Sequence, residues 1–95
     1  MNALKVDYDA LETAANTLSN EGDTFEDCIT TMSNVIAGLP DIWVADTCDQ
    51  YVTDYQDAET TLNDVRKLIQ DMSDQMKKIA SNFRQADEDM KSQMM

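Results

Sequence analysis

Histidine is absent from this chain, and glycine, proline and tryptophan are rare, with two glycines, one proline and one tryptophan in 95 residues. Without histidine, the chain lacks the commonest general base. Two glycines cannot build a Gly-rich phosphate-binding loop, and the acidic residues lack the spacing and central glycine of a calcium loop. Catalysis, a cofactor and a bound metal are therefore not expected.

Basic side chains are scarce and confined to one part of the chain. The net charge is −12, and no Lys or Arg occurs from Val6 to Asp64. Proteins bind nucleic acid and anionic lipid through clustered Lys and Arg, so neither partner is expected. The acidic stretch is either a solvated helix face or a surface for a basic partner.

Long hydrophobic runs are missing as well. No window approaches the roughly 20 apolar residues that cross a bilayer. The amino-terminal sequence shows no basic segment followed by an apolar run, as a secretory signal would. The sequence thus predicts neither stable membrane insertion nor a recognisable secretory signal.

The two cysteines, Cys28 and Cys48, make no metal motif because no histidine joins them. If the chain folds back near residue 42 or 43, Cys48 lies beside position 37, on the order of 13 Å along the helix from Cys28. A disulfide cannot span that distance. We predict that both are small apolar fillers, with crosslinking between chains as the alternative.

Apolar and small residues recur at alternating steps of three and four in two long segments, and only a helix places such positions on one stripe. The first stripe runs Leu4, Tyr8, Leu11, Ala15, Leu18, Gly22, Phe25, Ile29, Met32, Ile36, Leu39. The second runs Cys48, Tyr51, Tyr55, Ala58, Leu62, Val65, Ile69, Met72, Met76, Ile79, Phe83, Ala86, Met90. Gly22 is either a tolerated defect or, with Ala15, a point where another helix approaches closely. The seam of the hairpin and of a dimer is assigned to Leu11, Leu18, Phe25, Ile29, Leu62, Val65 and Ile69.

The stretch LPDIWVADTCDQY, residues 39–51, separates the two stripes. Gly38 suits the carboxyl-terminal cap of the first helix, and Pro40 cannot continue it. Asp46 or Thr47 can cap the second helix. A short turn is therefore predicted between two long helices.

We predict one all-α domain, residues 1–95, folded as an antiparallel helix-turn-helix hairpin. Helix one would span about 7–38, the turn about 39–46 and helix two about 47–91. Two facing stripes cover each other only in part, and a second hairpin would complete a four-helix bundle dimer. The flanking positions Val52, Leu68 and Ala80 widen the second stripe. Self-pairing is the first choice, but it doubles the charge of −12, so a less acidic partner stays open.

The turn sequence WVADTCDQY resembles that of the WXG100 family, the small substrates of type VII (ESX or Ess) secretion in Gram-positive bacteria. Trp43 matches the family's tryptophan, Ala45 stands where the family has glycine, and Tyr51 takes the place of a following aromatic residue. Alanine resists positive φ, so the turn would close differently from one built on glycine. From the residues alone, Trp43 is equally a bulky side chain that closes the bundle end over Leu39 and Ile42.

The family also carries an export signature at the end of its second helix. A hydrophobic residue is followed four places later by an acid, with further hydrophobic residues three and seven places after the acid. Phe83, Asp87, Met90 and Met94 fill these places. Helical spacing puts them on one face, where a carboxylate within an apolar stripe could orient a helix in a partner's groove. The heptad stripe alone also explains Phe83 and Met90.

The resemblance implies a protein without enzymatic activity, cytoplasmic before export and then secreted as a folded dimer. The carboxyl-terminal signal, residues 83–94, would be recognised by the secretion ATPase. Its partners would be a second copy or a related WXG100 protein, that ATPase, and a larger exported cargo.

Two alternatives remain. One is a structural coiled-coil protein, or a chaperone-like partner for a larger cargo, without an export role of its own. The other is an effector that perturbs host membranes, which the acidic exposed faces disfavour.

Overall fold

A computed structural model describes residues 6–94, which form two α-helices and no strand. α1 spans Tyr8–Ile42 and α2 spans Asp46–Met94. The predicted fold class, an all-α helical hairpin, is confirmed. The chain divides into two compact units. Unit 1 is the described part of Met1–Asn20 with Ile69–Met95, and unit 2 is Glu21–Leu68.

Unit 1 is packed through small side chains. Ala15 and Ala80 are fully buried, as is the polar Ser73. The Ser73 hydroxyl donates a hydrogen bond to the Ala15 carbonyl oxygen at 2.8 Å. So short a side chain reaches the backbone of another helix only where the two helices lie close together. At Ala15 the helices therefore lie close together, as in the second of the two alternatives left open for Gly22 and Ala15.

The amino terminus of α1 is held by Asp7. Its carboxylate accepts a hydrogen bond from the backbone N–H of Ala10 at 3.0 Å, and its carbonyl accepts one from Leu11 at 2.9 Å. The first N–H groups of a helix have no partner within the helix, so an aspartate at this position supplies the missing acceptor.

Unit 2 combines apolar packing with a part-buried hydroxyl contact. Ile29 and Cys48 are buried. The Tyr55 hydroxyl donates to the Ile29 carbonyl at 3.2 Å and lies 2.8 Å from the Ser33 hydroxyl. Since a phenol has only one hydrogen, Ser33 is the donor in the second contact. α1 and α2 are thus joined by polar as well as apolar contacts.

The packing face of α1 follows the predicted stripe closely. Its members are buried at Ala15, Gly22 and Ile29, and half-buried at Tyr8, Leu11, Leu18, Phe25, Ile36 and Leu39. Met32 is the exception among the described members, because it is exposed and the neighbouring Ser33 packs instead.

The packing face of α2 is displaced by one residue at every second position. The stripe keeps Cys48, Tyr55, Leu62, Ile69 and Met76 as predicted, all buried or half-buried. The remaining places are taken by Val52, Glu59, Arg66, Ser73, Ala80 and Asp87. Their predicted counterparts are exposed: Tyr51, Ala58, Val65, Met72, Ile79 and Ala86.

Polar partners on α1 explain this displacement. Ser73 bonds to Ala15, and Arg66 lies 3.9 Å from the Glu26 carboxylate. These side chains look outward-facing in a hydrophobic pattern, but each finds a partner on α1. Val65 is consequently 40% exposed and does not pack within the hairpin. Its place in a seam between paired chains stays a prediction.

The end of α1 differs from the prediction. The helix continues through Gly38 and Pro40 to Ile42, beyond the expected end at 38. Gly38 is not a left-handed cap, since no glycine of the described chain has positive φ. Proline removes a single N–H, and the helical bonding resumes at once, with Trp43 donating to the Leu39 carbonyl at 2.9 Å.

The start of α2 also differs. α2 begins at Asp46 and runs to Met94, so the turn is shorter than the predicted 39–46. The carbonyl of Ala45 accepts from the N–H groups of Cys48 and Asp49, at 3.0 and 3.5 Å. Ala45 therefore occupies the capping position, rather than either of the two residues after it. Asp46 and Asp49 lie in the first turn, where the helix dipole favours negative charge.

We expect Gly38→Ala to stabilise the protein by roughly 0.5–1 kcal/mol, because alanine loses less conformational entropy than glycine within a helix. A Cβ at this position would meet nothing within 4 Å. Chemical denaturation followed by far-ultraviolet circular dichroism measures the change. The matched control, Ala37→Gly, should destabilise by a similar amount. A destabilised Gly38→Ala protein would show that this position needs a glycine after all.

Candidate functional site

Trp43 and Tyr51 come together at the turn. Their ring centroids lie 5.1 Å apart with the planes inclined at 48°. Such tilted aromatic pairs contribute about 0.5–1.5 kcal/mol beyond the area they bury. Tyr51, from the second turn of α2, therefore fixes the half-buried indole against the start of that helix.

Ala45 stands at the turn without backbone strain. No residue of the described chain, Ala45 included, has positive φ, so the conformational freedom of glycine is not required here. The backbone carbonyl of residue 45 makes the capping bonds, and any residue can supply a carbonyl.

Two aliphatic side chains project from the turn into solvent. Ile42 is 82% exposed and Val44 is 93% exposed. Of the two residues that Trp43 was expected to close over, Leu39 and Ile42, Ile42 is therefore left uncovered, whereas Leu39 is half-buried. Val44 belongs to neither stripe, so the periodicity of the sequence does not predict a role for it.

The four residues of the candidate export signal all lie in the last part of α2. Phe83, Met90 and Met94 are 37%, 62% and 83% exposed, whereas Asp87 is half-buried. The apolar members thus present a face to solvent on either side of one carboxylate.

Asp87 is held by the first turn of α1. The Tyr8 hydroxyl donates to Asp87 Oδ2 at 3.0 Å, and Lys91 Nζ lies 3.7 Å from the same oxygen. The sequence predicts Asp87 as a recognition residue, and the structure adds an intramolecular partner for it.

Arg84 makes two short contacts between the helix ends. Its guanidinium donates to Glu12 Oε2 at 2.7 Å and to Asp9 Oδ1 at 2.8 Å, and it lies 5.1 Å from the centroid of the Tyr8 ring. The hydrogen bonds to Glu12 and then Asp9 raise the arginine pKa above its ordinary value. We call Tyr8, Asp9, Glu12, Arg84 and Asp87 the terminal cluster.

Sequence reasoning missed Tyr8 and Arg84 as members of a site. The available signal was the distribution of charge. Acidic residues crowd the first turns of α1, while six of the seven basic residues lie between Arg66 and Lys91. An antiparallel hairpin brings opposite charges at the two ends of the sequence together.

Unit 2 contains an open polar groove of about 290 Å³ lined by Glu26, Ser33, Glu59, Asn63 and Arg66, among others. The 3.9 Å pair between Arg66 and Glu26 is half-exposed, and such pairs contribute about 0–1 kcal/mol. Within residues 6–94, no group of three or more His, Cys, Asp or Glu side chains could hold a metal ion.

The two cysteines occupy different environments. Cys48 is buried, in agreement with a small apolar filler, but Cys28 is exposed and does not fill the core. Both are free thiols. Cys28 lies one residue before the buried Ile29, on a part of α1 that the packing face leaves uncovered.

In the described part of the chain, neither helix has an apolar stretch long enough to cross a bilayer. The fold and these contacts define a small helical hairpin protein with an aromatic turn and an exposed apolar end. The profile of the family WXG100, described as proteins of 100 residues with WXG, matches residues 3–88. Neither a curated protein nor a solved structure matches the chain.

The chain belongs to the WXG100 family, the family of small helical proteins associated with type VII secretion. The matched region contains the turn and both Phe83 and Asp87, and it ends before Met90 and Met94. The tripeptide that gives the family its description reads Trp43-Val44-Ala45 in this chain.

We expect the Tyr8 phenol to titrate at a higher pH than an ordinary tyrosine. The hydrogen bond to Asp87 and the charge of that carboxylate raise the pKa, the charge of Asp9 adds to this, and Arg84 opposes it. Since the folded pKa exceeds the unfolded one, the stabilisation is complete below about pH 10 and is lost as pH rises through the raised pKa.

The difference in tyrosinate absorbance between the wild type and Tyr8→Phe isolates this titration. In an Asp87→Asn background, the Tyr8 pKa should return towards its ordinary value. A Tyr8 phenol that titrates normally in the wild type would contradict the hydrogen bond to Asp87.

Proposed function

We propose that this protein is a type VII secretion substrate without enzymatic activity, exported as a folded dimer through residues 83–94. The observation that carries the proposal is the exposed apolar face of this segment in a WXG100 chain. Phe83, Met90 and Met94 keep this face in solvent at the end of α2. An apolar helix face of this kind suits a hydrophobic groove in a partner protein.

Asp87 gives this face a direction. One carboxylate among apolar side chains fixes how a helix lies in a groove, because a basic or N–H donor must meet it there. The receptor we propose is the ATPase of the secretion machine, acting on protein that is cytoplasmic before export. A larger exported cargo is a further partner of the dimer.

Export assays in a host with the secretion system test the signal. Phe83→Ala, Asp87→Ala and Met90→Ala should each lower export about tenfold through weaker binding to the ATPase, since each removes an anchor of the docked face. The matched controls are Glu88→Ala, which removes a neighbouring exposed acid, and Gln85→Ala, both outside the proposed face. Wild-type export of Asp87→Ala at equal cellular amount would refute the role of the signal.

One observation favours a structural role for Asp87 instead. Because Asp87 accepts a hydrogen bond from Tyr8, its loss could act by loosening the helix ends of a coiled-coil or chaperone-like protein. Export and thermal stability of the same variants separate the two functions. A structural role predicts that both fall together, whereas a signal predicts that Phe83→Ala and Met90→Ala lose export with little change in stability.

Dimer formation is supported by apolar side chains that the hairpin leaves uncovered. In unit 1, Met72 and Ile79 are exposed, and in unit 2, Val65 and Leu68 are exposed. Each square ångström of apolar surface buried by a second chain contributes about 25 cal/mol. A second hairpin would complete a four-helix bundle. We propose a second copy first, with a related WXG100 protein as the alternative.

Sedimentation equilibrium over a range of protein and salt concentrations tests self-pairing. We expect a two-chain mass at low micromolar concentration, with tighter association at higher salt, because salt screens the repulsion between two acidic chains. Ile79→Glu should shift the mass to one chain, whereas Val44→Glu at the exposed turn should not. A one-chain mass for the wild type would direct attention to a different WXG100 partner.

A further inference from the structure

We propose that Tyr8 is a latch on the candidate export signal, so that the receptor must displace Tyr8 before it can engage Asp87. This inference rests on the proposed function and adds a means of regulation to the same segment. The latch consists of the Tyr8–Asp87 hydrogen bond, and Arg84 holds it in place.

The latch acts at the centre of the candidate signal face. Phe83, Met90 and Met94 are exposed, so the apolar part of the face is already bare. Asp87 is the member of the face that the described contacts tie to α1, through the 3.0 Å bond from Tyr8. A groove that encloses this helix face needs the space beside Asp87. The Tyr8 hydroxyl, 3.0 Å from Asp87 Oδ2, lies in that space, so docking at Asp87 and the latch exclude each other.

Arg84 positions Tyr8 for its hydrogen bond to Asp87, which is the closed state of the latch. Its guanidinium bonds to both Glu12 and Asp9, which joins this turn of α2 to the first turns of α1. The same guanidinium lies 5.1 Å from the Tyr8 ring centroid, where a cation attracts the aromatic face. Tyr8 is therefore aligned by Arg84 and bonded to Asp87. Breaking the Tyr8 contact alone leaves both arginine bonds intact, so the latch can open without separating the helices.

The expected effect follows from the populations of the closed and open states. A receptor that binds only the open state has its apparent affinity reduced by the fraction of molecules that are open. One net hydrogen bond to a charged group corresponds to about a tenfold shift in that fraction. Removing the Tyr8 hydroxyl should therefore raise engagement of the signal about three- to tenfold, the opposite direction to any loss of fold.

The test compares Tyr8→Phe, which keeps the ring and deletes the hydroxyl, with Asp87→Asn in the full-length protein. The control Thr17→Val deletes an exposed hydroxyl of α1 that bonds to the Thr13 carbonyl of its own helix. Two quantities are measured for each variant. They are the backbone hydrogen exchange of residues 84–94 in the purified protein and the rate of export from a pulse-labelled host.

We expect Tyr8→Phe to be exported about three- to tenfold faster while it keeps the wild-type hydrogen exchange over 84–94, because the two arginine bonds still join the helices. Thr17→Val should match the wild type in both quantities. Loss of export in Asp87→Asn together with unchanged export of Tyr8→Phe would overturn the latch and leave the export signal standing. Wild-type export of Asp87→Asn would refute the signal and the latch together. Faster hydrogen exchange of Tyr8→Phe over 84–94 would show that loss of the hydroxyl loosens the helix ends, and it would overturn the latch.

Discussion

The hydrogen bond from Ser73 to the Ala15 carbonyl determines the packing of unit 1. Both residues are fully buried, so neither position has room for a larger side chain. The bond turns one line of α2 towards α1. The residues that follow Ser73 at heptad intervals, Ala80 and Asp87, lie on the same line. Ala80 is therefore fully buried, and Asp87 arrives beside Tyr8.

A hairpin packed in this way uses few large apolar side chains on itself. The buried hydrophobic residues of the described chain are Ala15, Ile29, Cys48 and Ala80. The larger apolar side chains of α2 lie one residue away from its packing face and remain exposed, where another protein can cover them. The same choice of small and polar contacts thus produces both a thin core and an apolar exterior.

The sequence predicts α1 well and α2 only in part, for a physical reason. On α1 the large apolar residues are the packing face, so periodicity identifies it. On α2 the packing face includes Ser73 and Arg84, whose partners are known only once the register against α1 is known. The predicted end of α1 at residue 38 was wrong because Pro40 removes only one N–H. The hydrogen bonds on either side of it are kept, so the helix continues to Ile42. The aromatic turn pair was foreseeable in its members, but the contact of Trp43 with Tyr51 depends on where α2 begins.

On the proposed function, the terminal cluster acts on the signal in two opposite ways. Arg84 ties the last turns of α2 to α1 and so fixes the direction in which the apolar face points, which lowers the entropy lost when a receptor binds it. Tyr8, which lies beside the same Arg84 guanidinium, donates a hydrogen bond to Asp87 and so occupies its carboxylate. Without the Tyr8 contact, residues 83–94 would have an accessible Asp87 carboxylate and an apolar face still fixed in direction by Arg84. Without the arginine contacts, the direction of that face would not be fixed. Because Arg84 already joins the helix ends, the Tyr8 contact can be lost without separating them, which is what the proposed control of access to Asp87 requires.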